Sequence, residues 1–390
     1  MEIVQKKTHT CIDVADVLRG LAVMGIVLLH SIEHFNFYSF PDTAGQSDWL
    51  NFADKAIWDG MFFTFGGKAY AVFALLFGFS FFIQEDNQRL RGHDFRLRFC
   101  WRLFLLFLFG NLNACFFTAE VLVLFSLVGL ILPLTCRLKD KTVFILALVL
   151  LFQPLPLYYA IRATFDPSFI TPAIPTRTFW DATFVQQTNG TFLEMLRVNL
   201  WEGQIASLAW AWDNGRFFQT SALFLFGMLI GRRGLFKEEH VPFWGKILAI
   251  ALLSFFPLYG LKNMIGGFIT NKSILTPLTL VITSLSNFSF MLILVSGGIF
   301  AFYKSKAHDW LLKITPYGKM SLTNYITQSV IGSLLYYNWG FSLHDKFGIT
   351  ASFLCGVCIF VLQFAFCKWW MDRHAHGPLE YIWKRATFLK

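Results

Sequence analysis

Ten stretches of this chain are apolar over about the length that a bilayer core demands, and that recurrence limits the fold more than any motif does. They lie at roughly 17–39, 60–83, 103–117, 120–136, 143–161, 217–231, 243–262, 274–303, 320–339 and 348–368, the third and fourth being short. With 55% apolar and only 15% charged residues in 390, the chain is too apolar for one or two soluble domains of that length. The expected fold is therefore all-α: a polytopic transmembrane helix bundle of about ten spans forming a single integral membrane domain over 1–390.

The basic residues sort across the connections. Most of the 33 Lys and Arg fall at the amino end, between spans two and three, four and five, six and seven, eight and nine, and after ten. By the positive-inside rule both termini are then cytoplasmic. The net charge of +9 follows from this retention and gives no ground for a nucleic acid partner, since no aromatic-basic motif accompanies it. The first apolar run continues at spanning length with no small-residue cleavage site after it, so it reads as a retained anchor rather than a signal peptide. Seven cysteines, mostly in or near spans, argue against a disulfide framework, and the Cys355-x-x-Cys358 pair is assigned no chemistry. Membrane lipids are the expected surroundings; oligomeric state is left open.

Two segments between spans are long enough for structure outside the membrane. Residues 39–59 are acidic, with Asp42, Asp48, Asp54 and Asp59 against Lys55. Residues 162–216 form a larger extracytoplasmic loop in which 192–212 reads as one or two interfacial helices bearing Trp201, Trp210 and Trp212, either a lid or a plain anchor. No internal repeat or low-complexity tract is visible.

Asp16, Arg19, His30, Glu33 and His34 interrupt or flank the first apolar run. Such groups are costly in lipid, and they mark sites. Arg19 and His30 are eleven residues apart, three turns plus about 20°, so both point the same way with a rise of about 16 Å between them. A structural ion pair of Asp16 with Arg19, plus two packed histidines, is the plain alternative. Two chemical readings compete with it. In one, His30 is a general base and Arg19 holds a phosphate or other anion. In the other, His30-Ser31-Ile32-Glu33-His34 is an H-x-x-E-H zinc signature with both histidines on one helical face. The residues Lys68, Glu120, Asn324, Gln328, Arg98 and Arg102 are further substrate-binding candidates. Lys68 lies in a Gly66-Gly67-Lys68 run that lacks phosphate-loop spacing, and Glu120 clusters with Asn111 and Asn113 at an outer turn where water would explain them. Asn324 and Gln328 share a face of span nine, and Arg98 and Arg102 share one of span three.

Several segments resemble the YeiB-like family of bacterial polytopic membrane proteins, catalogued largely as a domain of unknown function. They include Asp16-Val-Leu-Arg19-Gly20, Gly67-Lys68-Ala-Tyr70, Gly231-Arg232, Pro316-Tyr-Gly318 through Asn324-Tyr325 to Gln328-Ser329, and Gly377-Pro378-Leu379-Glu380-Tyr-Ile-Trp383. That family is similar to the transmembrane acyltransferases, whose Arg-x10-His element is matched by Arg19 and His30. His30 stands where YeiB-like chains usually have Asn, and Arg98-x3-Arg102 replaces the Arg-x-x-Arg of the acyltransferases.

The resemblance implies a protein integral to the bacterial plasma (inner) membrane that moves an acyl group from cytoplasmic acyl-CoA to an extracytoplasmic glycan or small-molecule acceptor. His30, Glu33 and His34 are the catalytic candidates, with no permanently bound cofactor and no assigned metal. The alternatives are a proton-coupled transporter whose path the same polar stripe lines and, third, a zinc hydrolase using His30, Glu33 and His34.

Overall fold

The computed structural model describes residues 2–43 and 45–388, with side chains from residue 13 onward. The described residues contain helices and connections and no strand. The order begins α1 (Glu2–Ile32), α2 (Asp48–Thr64), α3 (Ala69–Leu90), α4 (Arg96–Ala114), α5 (Leu122–Val128) and α6 (Ile131–Thr135). Next come α7 (Asp140–Leu151), α8 (Pro154–Phe165), α9 (Thr176–Asn189), α10 (Phe192–Val198), a π turn at Asn199–Gly203, and α11 (Gln204–Asp213). The chain closes with α12 (Arg216–Arg232), α13 (Val241–Met264), α14 (Lys272–Lys304), α15 (His308–Leu312), α16 (Thr315–Lys319), α17 (Ser321–Tyr336), α18 (Ile349–Met371) and α19 (Pro378–Thr387).

Each of the ten apolar segments is helical, yet among the described residues only five helical stretches are long and apolar enough to cross a membrane, or six if α7 and α8, bent by 50°, count as one. The difference from about ten lies in α4, whose arginines and asparagines lower its hydropathy, and in the shorter helices. At 17 and 16 residues, α12 and α17 rise only about 25 Å, and they carry buried Gln219, Asn324 and Gln328 that lower their hydropathy. The 60–83 segment is also not one straight helix. It breaks between α2 and α3, where Gly67 takes φ +71°, a left-handed value that disfavours any side chain.

α1 forms the axis of the bundle. Of its spanning window 78% is buried, against 22% for α13 and α18, which lie at the periphery. Glycines let its neighbours approach closely. A Cβ on Gly20 would meet the Ile314 side chain at 2.6 Å, and one on Gly318 would overlap the Asp16 carbonyl. The same device joins α3 to α12, where Gly78 faces the Phe224 carbonyl and Gly227 the Leu75 carbonyl. Close backbone approach at small residues is the usual way that apolar helices gain packing contacts in lipid.

The acidic 39–59 segment is helical from Asp48 rather than a loop apart. Asp54 is buried and accepts from Thr350 N at 2.7 Å and Thr350 Oγ1 at 2.6 Å, which caps the start of α18. The 192–212 stretch forms α10, the π turn and α11, as its pattern predicts, with Trp201, Trp210 and Trp212 partly exposed. At the basic end Asp94 ties the loop before α4 to Arg96 and Arg137, and the Arg96 hydrogen bonds hold its carboxyl down at about 2.

Gly227→Ala should lower the thermal unfolding midpoint in detergent, by an overpacking cost of about 1–3 kcal/mol. Gly297→Ala, on the same bundle with nothing within 4 Å of an added Cβ, should leave it unchanged or raise it. Equal midpoints for the two variants would contradict the close α3–α12 crossing.

Candidate functional site

The polar stripe of the first helix serves two cavities. His30, Glu33 and His34 line a large one of about 1400 Å³, roofed on one side by α9 and α11. Arg19 lines a smaller one of about 230 Å³ toward the basic end. Tyr325 lines both. Its ring on α17 stands between them, and its hydroxyl accepts from Val121 N at 3.4 Å.

The regular helix ends at Ile32, so Glu33 and His34 sit in the following turn rather than on one helical face with His30. Phe35 N bonds to the His30 carbonyl at 3.1 Å, and Phe37 and Tyr38 both take left-handed φ near 55°. The three polar groups stay together at this end of α1. Glu33 Oε1 lies 2.7 Å from His34 Nδ1 without hydrogen-bond alignment, and Tyr38 donates to Glu33 Oε2 at 3.4 Å. The His30 ring packs on Phe117 at 4.7 Å and lies 5.3 Å from the His34 ring. Its Nδ1 is buried with no hydrogen-bond partner among the described residues. One donor atom from each of His30, Glu33 and His34 falls within 4.8 Å of the others, so the trio could hold a metal ion.

Glu120 and Lys68 join this cavity from other elements. Asn113 and Glu120 are buried, not water-exposed as their outer turn implies; Asn113 and Leu122 N both donate to the Glu120 carboxylate. The turn between α4 and α5 folds inward, so the two residues pair seven positions apart. Asn111 bonds the Phe107 carbonyl within its own helix. Lys68 sits at the α2–α3 break, donating to the Phe62 carbonyl at 3.1 Å and lying 5.5 Å from the Phe290 ring centre.

The smaller cavity is cationic. Arg19 pairs with Asp16 at 2.5 Å and donates to Ser80 at 2.8 Å. Arg102 stacks 3.6 Å from the Trp383 ring centre, and Lys319 completes the positive set. Glu380 of α19 accepts from Leu322 N, Thr323 N and Thr323 Oγ1 at 2.6–3.0 Å, docking the carboxy-terminal helix onto the pocket. Burial pushes its carboxyl up from the ordinary value, against those bonds. Arg98 does not reach this pocket; it is exposed and lies over Phe388. Asn324 and Gln328 line neither cavity. Asn324 donates to the Tyr317 carbonyl at 3.0 Å, while the Gln328 amide is fully buried without a partner among the described residues.

Sequence reasoning passed over Tyr325, Lys319, Glu380 and Trp383 as site residues, although all four fall in the most specific family-like segments. It also passed over Arg216 and Lys262, which line the large cavity and which only the fold brings to Lys68.

Residues 230–390 match the family described as "Protein of unknown function (DUF418)". Along nearly its whole length the chain is similar to an uncharacterized protein, YxaH, of Bacillus subtilis (strain 168), at 25% identity covering 98% of this chain and 95% of that one. An uncharacterized 39.9 kDa protein from the amylase 3' region of Bacillus acidopullulyticus is 24% identical over 96% of this chain and 92% of its own. The uncharacterized YeiB of Escherichia coli (strain K12) is 30% identical over 78 residues, 20% of each chain. No solved structure matches the chain.

If Tyr325 closes the passage between the cavities, Tyr325→Ala should make proteoliposomes leaky to a small solute such as nitrate while the unsubstituted protein stays tight. Unchanged permeability would mean that other side chains close the passage.

Proposed function

We propose that this chain, whose residues 230–390 match the DUF418 family and which is similar to YxaH along nearly its whole length, transfers an acyl group from cytoplasmic acyl-CoA to an acceptor on the far side of the membrane. The observation that carries this reading is the pair of cavities on one helix, a cationic one at Arg19 and an imidazole-bearing one at His30, meeting at Tyr325.

In this reading the donor's phosphates rest on Arg19, Arg102 and Lys319, where guanidinium groups suit phosphate oxygens. The thioester passes Tyr325 into the large cavity. His30 takes the proton of an acceptor hydroxyl or amine as that oxygen or nitrogen attacks the thioester carbon. The new ester or amide bond forms, the C–S bond breaks, and the departing thiolate recovers the proton from the imidazolium. His34, held beside Glu33, offers a second imidazole toward the open mouth. Glu120 sits next to the Tyr325 contact and keeps that wall in place.

A second reading is favoured by one observation, the compact His30, Glu33 and His34 donor set. A divalent ion held there would activate water for hydrolysis. A transporter would use the same cavities with Tyr325 as its gate.

Calorimetry on detergent-purified protein separates these. The transferase reading expects acetyl-CoA to bind at micromolar affinity and Arg19→Ala to weaken it roughly tenfold or more, the worth of a charge-assisted bond. His30→Ala should spare that binding and cut transfer by about 10²–10⁴-fold. No binding of acetyl-CoA or CoA would overturn the proposal; stoichiometric metal in the purified protein would favour the hydrolase.

A further inference from the structure

One wall of the large cavity gathers three cations that form no ion pair with the carboxylates lining it. Each carboxylate lining it is already engaged: Glu33 with His34, Asp59 with Lys55, Glu120 with Asn113, and Asp181 with Arg177 at 3.6 Å. Lys68, Arg216 and Lys262 have no carboxylate within 4.0 Å among the described residues, and Arg216 and Lys262 stand within electrostatic reach of Lys68. Three cations gathered at one wall, Lys68 buried and Arg216 and Lys262 half-buried, repel one another without counter-ions, and an incoming anion relieves that repulsion.

The local backbone keeps the place open. Gly67 takes φ +71°, and a Cβ there would lie 2.7 Å from the Asn287 amide nitrogen and 3.5 Å from Arg216 Nη2. The absent side chain leaves those two donors facing the α2–α3 break beside Lys68. Arg216 is held in place by donation to Gln219 at 3.0 Å and by the Tyr70 ring, 4.3 Å from its guanidinium carbon. Its remaining donors are free to fork around a phosphate or carboxylate. α3 and α12 begin here, while α2 and α13 end here with Lys68 and Lys262 at their carboxy-terminal turns, so the helix ends do not replace the missing counter-ion.

We propose that this cavity binds an anionic group, a phosphate or carboxylate, through Lys68, Arg216 and Lys262 with the Asn287 amide. That the anion belongs to the acyl acceptor rests on the transfer reading above; the anion site itself does not. The bound group would be either part of a soluble sugar acid or sugar phosphate or the headgroup of an anionic lipid.

The test uses the full chain in nanodiscs of phosphatidylcholine, read by intrinsic tryptophan fluorescence, since the Trp210 ring lies 5.4 Å from Arg216. Glucuronate and glucose 6-phosphate should bind saturably and glucose should not. Arg216→Gln and Lys68→Met should each weaken binding at least tenfold, while Arg19→Ala leaves it unchanged. If glucose binds equally well, if no anionic probe binds, or if only Arg19→Ala weakens binding, the proposal is overturned. In a second arm, phosphatidylglycerol in the disc should compete with the soluble probes if the natural anion is a lipid headgroup, and should not if it is soluble. Acetyl-CoA binding in the Arg216→Gln protein should stay intact, which confirms its fold. Loss of acetyl-CoA binding in the unsubstituted protein would sink the transfer reading and leave the anion site standing.

Discussion

Burial of α1 at the centre of the bundle is the constraint on which the rest depends. A helix that threads among α3, α14, α16, α17 and α18 cannot hide polar side chains at a lipid-facing edge. Arg19 and His30 must find protein partners or a cavity, and each opens onto a cavity. The glycine contacts at Gly20 and Gly318 hold the axis close to α16, and α17, which follows it, carries Tyr325 to the lining of both cavities.

Two breaks in regular structure turn this scaffold into a site. The turn after Ile32 keeps Glu33 and His34 beside His30, positions that a continued helix would also hold on one face, and turns the chain away at Phe37 and Tyr38. The Gly67 break between α2 and α3 brings Lys68 to the cavity wall opposite. Around them the electrostatics divide by end. The smaller cavity has Glu380 among its cations, occupied by bonds to α17, while Asp16 holds Arg19; the larger has its carboxylates engaged by neighbours and three cations without an ion pair on one wall.

Much of the helical architecture was legible from hydropathy, because apolar runs in lipid have little alternative to helix. The spans were less so. A continuous apolar run from 60 to 83 conceals the Gly67 break, since the turn is set by one backbone angle and not by composition. α12 and α17 read as spans although their buried amides and short length set them apart. Within the site, the period of α1 aligns Arg19 and His30 but does not reveal that they serve separate cavities. Asn113 and Glu120 looked like solvent-facing turn residues because a turn that folds inward has the same residue types as one that folds outward. Arg98 and Arg102 look equivalent at i,i+4, yet only Arg102 meets Trp383, since α19 covers one of the two and leaves the other exposed. Arg216 and Lys262 come together with Lys68 only through tertiary contacts, for which the chain offers no local signal.

The central claim is that one path joins the cationic pocket to the imidazole cavity past Tyr325. Its most direct test is an experimental structure of the protein in nanodiscs with acetyl-CoA added. The account predicts the nucleotide phosphates against Arg19, Arg102 and Lys319, with the pantetheine arm running beside Tyr325 and the thioester near His30. A nucleotide bound elsewhere, or an arm that does not enter the large cavity, would contradict it.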